Sequence, residues 1–355
     1  MSEEHRPHGA HGRRPGLAAR LRRFRRSELF PACVLVLILG AAAGLFAGSY
    51  TYAMADPAPH RIPTAVLGSA DEPRSARFVA AMERELDSSM VLERYDSEAA
   101  ASDAVGDQQV FAVLRLGDED PVRLQVSSAS GASVAQLLSE TAPRAGEAAG
   151  VAVEVDDLKP LDPGDPRGLA IFYISLAAVI IGFVGAIQLS VHARGLNPLE
   201  RILFTAAYAL FGGLVITVVV DVLLGAVDLP FAASWMILAL TMFTAGMVFT
   251  MFNTLFGRWA MLPTWGLMVL LGNPSSGGAV SWPLLPSPFG AIGRWLPPGG
   301  SVNAQHTAVY FPEHQHVQPY LALGGWALVS CTVFWFWRHR HPGGRPSAPA
   351  HAGTA

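Results

Sequence analysis

The sequence predicts an α-helical polytopic membrane protein of six transmembrane helices with both termini in the cytoplasm, a small extracytoplasmic α/β domain, and a re-entrant element before the last helix. Three observations carry this expectation. Hydrophobic residues make up 51% of the 355-residue chain against 15% charged, with a mean hydropathy of +0.33, the composition of a chain that places long apolar runs in lipid. The polar residues are gathered into one block, 55–166. Between the last two apolar runs lies GNPSSGGAVSWPLLPSPFGAIGRWLPPGGSVNAQHTAVYF at 272–311, whose only charge is Arg294. Its six prolines, interleaved with glycines, forbid a regular span. It is nonetheless too apolar for an ordinary exposed loop. Broken backbone at membrane depth is tolerated only where protein buries it or a cavity adjoins it, which predicts a hairpin of short helices inserted among the other spans. The competing expectation is an apolar surface loop lying on the headgroups.

Residues 1–28 form a basic tail with eight arginines and three acids, in which 17–26 suits a short basic helix on an anionic membrane surface. The first apolar run, 29–54, is long for a signal peptide, and its basic flank fixes its start in the cytoplasm. An uncleaved anchor is expected, although Ala53-Met54-Ala55 resembles a cleavage site. The C-terminal tail, 338–355, carries three arginines and no acid. Arginine-rich ends beside apolar spans read as topology signals, so nucleic acid is not an expected partner. Cys33 and Cys331 both fall inside apolar runs, where packing is their expected role rather than a disulfide or a metal site.

The block 55–166 holds 21 acids against nine bases. Strands are expected at 62–67, 91–95, 110–116, 122–126 and 151–155. Helices are expected at 74–87, at 97–107 with Ser97 as cap, and from 134 onward. Between the third and fourth strands GDEDP reads as a turn. About a hundred residues suffice for a modest core. No nucleophile–base pair or metal-spaced cluster stands out in this block.

The remaining spans are expected at 168–191, 202–227, 229–257, 259–271 and 317–337, the last ending in an aromatic belt, Trp335-Phe336-Trp337, followed by Arg338 and Arg340. The fourth of these is short. About 13 residues rise only about 20 Å against a core of about 30 Å, so it must start earlier, tilt, or be completed by the stretch that follows. The positive-inside rule places Arg194, Arg201, Arg258 and both tails in the cytoplasm, and leaves Arg167 and Arg294 as the only bases beyond the polar domain on the far side.

Within this frame a few residues stand out. In the link 192–201, Asn197 can cap a helix that Pro198 begins and Glu200 completes at its third position. This is either a short charged helix across the cytoplasmic mouth or a tight hairpin that starts the next span. Asp221 is the sole acid deep in an apolar run, a functional candidate by default. It could contact substrate, hold a proton, pair with Arg294, or only reach the outer interface near Asp228. His306, His314 and His316 with Glu313 form a weak metal-binding pattern or a solvated loop. The chain carries no P-loop and no H-E-x-x-H, so neither a catalytic function nor a cofactor is expected, and active work would draw on a partner or an ion gradient.

One span, a polar α/β domain, then five spans with a Pro/Gly-rich element before the last: this order resembles the ABC-2 type transporter permeases, and within them the YhgE/Pip and DUF3533-like branch. The stretches that carry the resemblance are SEAAASDAVGDQQVFAVLRL at 97–116, GNPSSGG at 272–278 with PLLPSPFGAIGRWLPPG after it, and the link 192–201 where the family has its coupling helix. The resemblance implies an exporter subunit in the bacterial plasma membrane, dimeric with itself or a relative, in contact with membrane lipids and driven by a separate cytoplasmic ATPase. Arg194, Asn197, Glu200 and Arg201 would face that ATPase. Gly272, Asn273, Pro274, Arg294, Pro297 and Pro298 would belong to the outer gate. The uncharged spans favour an amphipathic or lipid-like substrate. The branch also contains phage-infection proteins, so a receptor or envelope scaffold displaying 55–166 is the alternative. A membrane enzyme would require Asp221 and 306–316 to converge.

Overall fold

The structure is a computed structural model that describes residues 27, 29–55, 57–117 and 121–341. The basic helix expected at 17–26, most of the GDEDP turn and the C-terminal tail beyond His341 lie outside the described residues. Among the described residues, five helices are long and apolar enough to cross a membrane: α1 (Leu29–Met54), α5 (Ala170–His192), α6 (Pro198–Thr217, continued by π-helical turns to Leu223), α7 (Phe231–Phe256) and α11 (Gln318–Arg340). The shortest of the five has 23 residues, rising about 35 Å, more than a hydrocarbon core of about 30 Å. The protein is a multi-pass membrane protein.

The chain divides into two compact units, up to Gly48 and from Ser49 onward. In the first unit, helix α1 is apolar on all sides, and Leu35, Val36, Leu37 and Leu39 are exposed. A helix that is hydrophobic all round requires lipid or protein about it.

In the second unit the polar block folds as one five-stranded sheet in the order β2-β1-β3-β4-β5. Its strands are β1 (Ile62–Leu67), β2 (Met90–Arg94), β3 (Ala112–Arg115), β4 (Val122–Val126) and β5 (Val153–Asp157). Neighbours are parallel except β3 and β4, which run antiparallel with Leu114 opposite Leu124. Helices cover both faces, so β1 is buried along most of its length, as expected of a strand in a parallel, two-sided setting. On one face α2 (Pro73–Glu85) and α4 (Ala132–Ala149) supply Phe78, Met82, Val134 and Leu138 to a core shared with Ile62, Leu114 and Leu124. On the other face α3 (Glu98–Gly106) packs Ala101, Ala104 and Val105 against Ala65 and Val113. Ser97 caps α3, its Oγ accepting from Ala100 N at 3.2 Å.

Among the spanning helices, α7 is the centre: 72% of its apolar window is buried, against 50% for α5, 28% for α11 and 22% for α6. Helices α5, α6 and α11 pack on it. Each of these helices has one end toward the sheet and the other carrying arginine. Arg194 and Arg201 flank the α5–α6 turn, Arg258 follows α7, and Arg338 and Arg340 end α11.

The sixth expected span is a helix of only 12 residues, Met261–Gly272, beginning as α8 (Met261–Trp265) and continuing in π-helical turns. Irregular chain follows it. From Gly272 the backbone runs toward the sheet and makes a 3-10 turn at Trp282–Leu284. It descends through α9 (Ser287–Gly293) and returns in α10 (Pro297–Tyr310), opened by Pro297 and Pro298. The descent is fixed by close approaches. A Cβ on Gly293 would strike the Ser275 carbonyl, and one on Gly272 would strike Pro298, so only glycine lets these segments touch. Helix α10 is buried on nearly every side between α5, α7 and α11. Protein thus covers 297–310, whereas α9 before it leaves Ile292 and, just after it, Trp295 exposed.

Candidate functional site

The Pro/Gly-rich stretch joins the sheet to the helices. Its first limb adds Val280, Leu284 and Leu285 to the core that contains Phe78 and Leu138. Polar contacts fasten the same limb. Ser281 N–H donates to Ser133 Oγ at 2.8 Å, the two hydroxyls lie 2.8 Å apart, and His60 N–H donates to the Pro283 carbonyl at 2.7 Å. Lower down, Asn273 Nδ2 donates to Tyr50 Oη at 2.7 Å near the end of α1. The second limb, α10, is held by a Thr241–Ser301 hydroxyl pair at 2.8 Å and by Gln305 Nε2 donating to the Ser234 carbonyl at 2.9 Å. Polar pairs inside an apolar bundle are favoured because each unpaired group would carry a desolvation cost.

Between the sheet and this stretch lies a cavity of about 1090 Å³, large enough for a small amphipathic molecule. One wall comes from the sheet domain, with Phe111, Ser128, Ser133 and the uncapped N-terminus of α4. The other comes from Ser275, Ser276, Trp282, Trp295, Asn303 and Thr307, and the start of α5 and of α11 completes it through Ile171 and Gln318. Hydroxyls and amides alternate with aromatic and aliphatic surface. Sequence reasoning missed the cavity because its walls come from segments about 150 residues apart.

The charges around the cavity are sorted. Arg167 and Arg294 both line it. Arg294 lies over the Trp282 ring at 4.4 Å, and its carbonyl accepts from Gln318 Nε2 at 2.8 Å. Among the described residues no carboxylate lies within ion-pair distance of either arginine. Two of the cavity's three acids have other partners. Asp107 pairs with His314 at 2.8 Å, and Asp157 Oδ1 accepts from the backbone of Ser128 and Lys159 at 3.2 and 3.1 Å. Asp156 also opens onto the cavity. His306 reaches the wall from α10 with its ring against Tyr310 and Phe311.

The other predicted residues are placed as follows. Asp221 does not pair with Arg294. Its carboxylate accepts from Leu229 N at 3.2 Å and closes the turn between α6 and α7, where a peptide donor eight residues on is nearer than any side chain. Nor does Asp221 line the cavity that His306 and His316 border. The histidine cluster is divided, with His314 on Asp107 and His306 turned inward. The link 192–201 contains no separate lateral helix; it is a tight turn into α6. Asn197 and Glu200 complete a reciprocal capping box, both bonds 2.9 Å, and Pro198 takes the first helical position. Arg201 donates to the Ala193 carbonyl at 2.9 Å, while Arg194 is exposed and its Nε reaches the Val191 carbonyl at 3.2 Å. Pro274, Pro297 and Pro298 are buried in the hairpin. One functional cap escaped the sequence: the buried Asp165 carboxylate accepts from Leu169 N and Ala170 N at 3.0 and 2.7 Å and starts α5.

No family description, curated protein or solved structure matches this chain.

Proposed function

We propose that this chain is the membrane subunit of an ABC-2 type exporter, moving an amphipathic or lipid-like molecule outward with energy from a separate cytoplasmic ATPase. The observation that carries the reading is the cavity shared by the sheet domain and the hairpin 272–311. A mixed polar and apolar chamber where a glycine- and proline-jointed element meets a bundle suits a ligand with a polar head and an apolar body. In this reading the sheet domain lies outside the cell, both termini and the arginine-bearing helix ends lie in the cytoplasm, and α8 with the hairpin acts as the sixth membrane segment. The hairpin, including Gly272, Asn273, Pro274, Arg294, Pro297 and Pro298, forms the outer gate.

The ATPase would dock on the α5–α6 turn. There Arg194 and Leu199 are exposed, and the capping box holds the turn rigid. Asn197, Glu200 and Arg201 shape that surface, and Arg194 offers the free charge. A dimer would cover the exposed apolar faces of the outer helices. The test is ATP-driven uptake of a fluorescent short-chain anionic lipid by everted membrane vesicles. The expected result is ATP-dependent accumulation that Arg194→Glu abolishes. Accumulation indifferent to ATP and to Arg194 would contradict the reading. It would move the chain to the receptor or scaffold class, in which the sheet domain alone carries the function.

A further inference from the structure

We infer that the cavity between the sheet and the hairpin selects an anionic headgroup, with Arg294 and Arg167 as the selecting charges. The inference rests on the proposed function only for the direction of movement; binding itself stands on the cavity.

The polar domain as a whole is strongly acidic, with 21 acids against nine bases in 55–166. Four of its arginines, Arg94, Arg115, Arg123 and Arg144, lie on carboxylates, while Arg77 and Arg84 turn to backbone carbonyls. The two arginines on the cavity wall differ from the first four. Among the described residues neither has a carboxylate partner, and two of the three acids that share the wall are already bonded to His314 or to backbone amides. Charges left uncompensated beside a partly apolar chamber favour an incoming anion, and a guanidinium can grip a phosphate or carboxylate through two parallel bonds. Arg294 is also pre-positioned, its cation over the Trp282 ring and its carbonyl tied to Gln318. A held side chain loses less rotamer freedom on binding. Hydroxyls from both walls, Ser128 and Ser276 among them, can take the remaining oxygens, and Trp295 and Ile171 offer apolar surface to the rest of the molecule. The ligand class is therefore an anion of phosphate type attached to a small polar head. A lipid headgroup and a free phosphate ester share this chemistry.

The contact between Arg294 and Trp282 supplies the readout. Full-length protein in a zwitterionic detergent is titrated with dihexanoyl phosphatidylglycerol, with glycerol 1-phosphate, and with dihexanoyl phosphatidylcholine as control, following tryptophan emission and subtracting the Trp282→Phe variant. Saturable change with phosphatidylglycerol alone supports the inference with a lipid source. Change with both anions, or with glycerol phosphate alone, supports it with a free phosphate source. Arg294→Gln and Arg167→Gln should each weaken binding tenfold or more, and Arg294→Lys should recover part of the loss. Melting temperatures of the variants report whether each is folded. A variant that fails to fold is replaced by its lysine counterpart, which keeps the charge but loses the paired bonds and should weaken binding several-fold. No saturable change with either anion, equal binding of phosphatidylcholine, or unchanged affinity in folded arginine variants would overturn the inference. Anion binding without an associated ATPase would leave it standing and remove the exporter reading; an associated ATPase without anion binding would do the reverse.

Discussion

Two connectors separate neighbouring apolar helices, and they are built on opposite plans. The link 192–201 satisfies itself: Asn197 and Glu200 bond each other's backbone, and Arg194 and Arg201 reach carbonyls three and eight residues away. The stretch 272–311 satisfies itself through the rest of the molecule, through Ser133, His60, Tyr50, Ser234 and Thr241. They lie at opposite ends of α5, since Ile171 borders the cavity and His192 begins the link. A connector bonded only to itself leaves its outer surface free for a partner. A connector bonded to three other elements transmits any displacement to all of them. The proposed ATPase contact and the proposed gate fall on the corresponding ends.

The contrast is sharpened most by deleting apolar surface from each connector. Leu285, 1% exposed in the sheet core, should cost about 3 kcal/mol on Leu285→Ala. Leu199, 53% exposed on the link, should cost less than about 0.5 kcal/mol on the same change. Urea unfolding followed by tryptophan emission measures both, and equal costs would break the comparison.

A modest effect is expected from the cap of the link itself. Asn197→Ala removes one half of the capping box and should cost about 1 kcal/mol. A loss of several kcal/mol would mean that the turn carries tertiary contacts after all.

What could be read from the sequence follows the same division. The capping box and the Ser97 cap were legible because cause and effect lie within four residues. Strands β1 and β4 were legible in full, and the other three to within about two residues, because β-branched runs bounded by turn residues announce themselves locally. The hairpin was legible as something that could not be a span, from its prolines. Its attachment was not, because Ser281 and Ser133 are 148 residues apart and neither carries a local mark. Arg294 drew notice as a lone charge, and Arg167 as a base on the far side, but nothing in the sequence said that they share one cavity. Asp221 misled because an acid in an apolar run suggests a long-range partner, whereas the turn eight residues on supplied a peptide N–H. The short fourth run after the sheet domain was readable as too short. That the chain after it is irregular and anchored in the sheet core required the fold.

The self-contained link is proposed as a docking surface for an energy-supplying subunit. The most direct measurement is affinity purification of the full chain from its native membrane in mild detergent, with every co-eluting protein identified by mass spectrometry. An ATPase subunit is expected in the eluate at a fixed ratio to this chain, released by Arg194→Glu and retained by Arg294→Gln. An eluate without an ATPase across several detergents, or one whose ATPase is indifferent to Arg194→Glu, would contradict it.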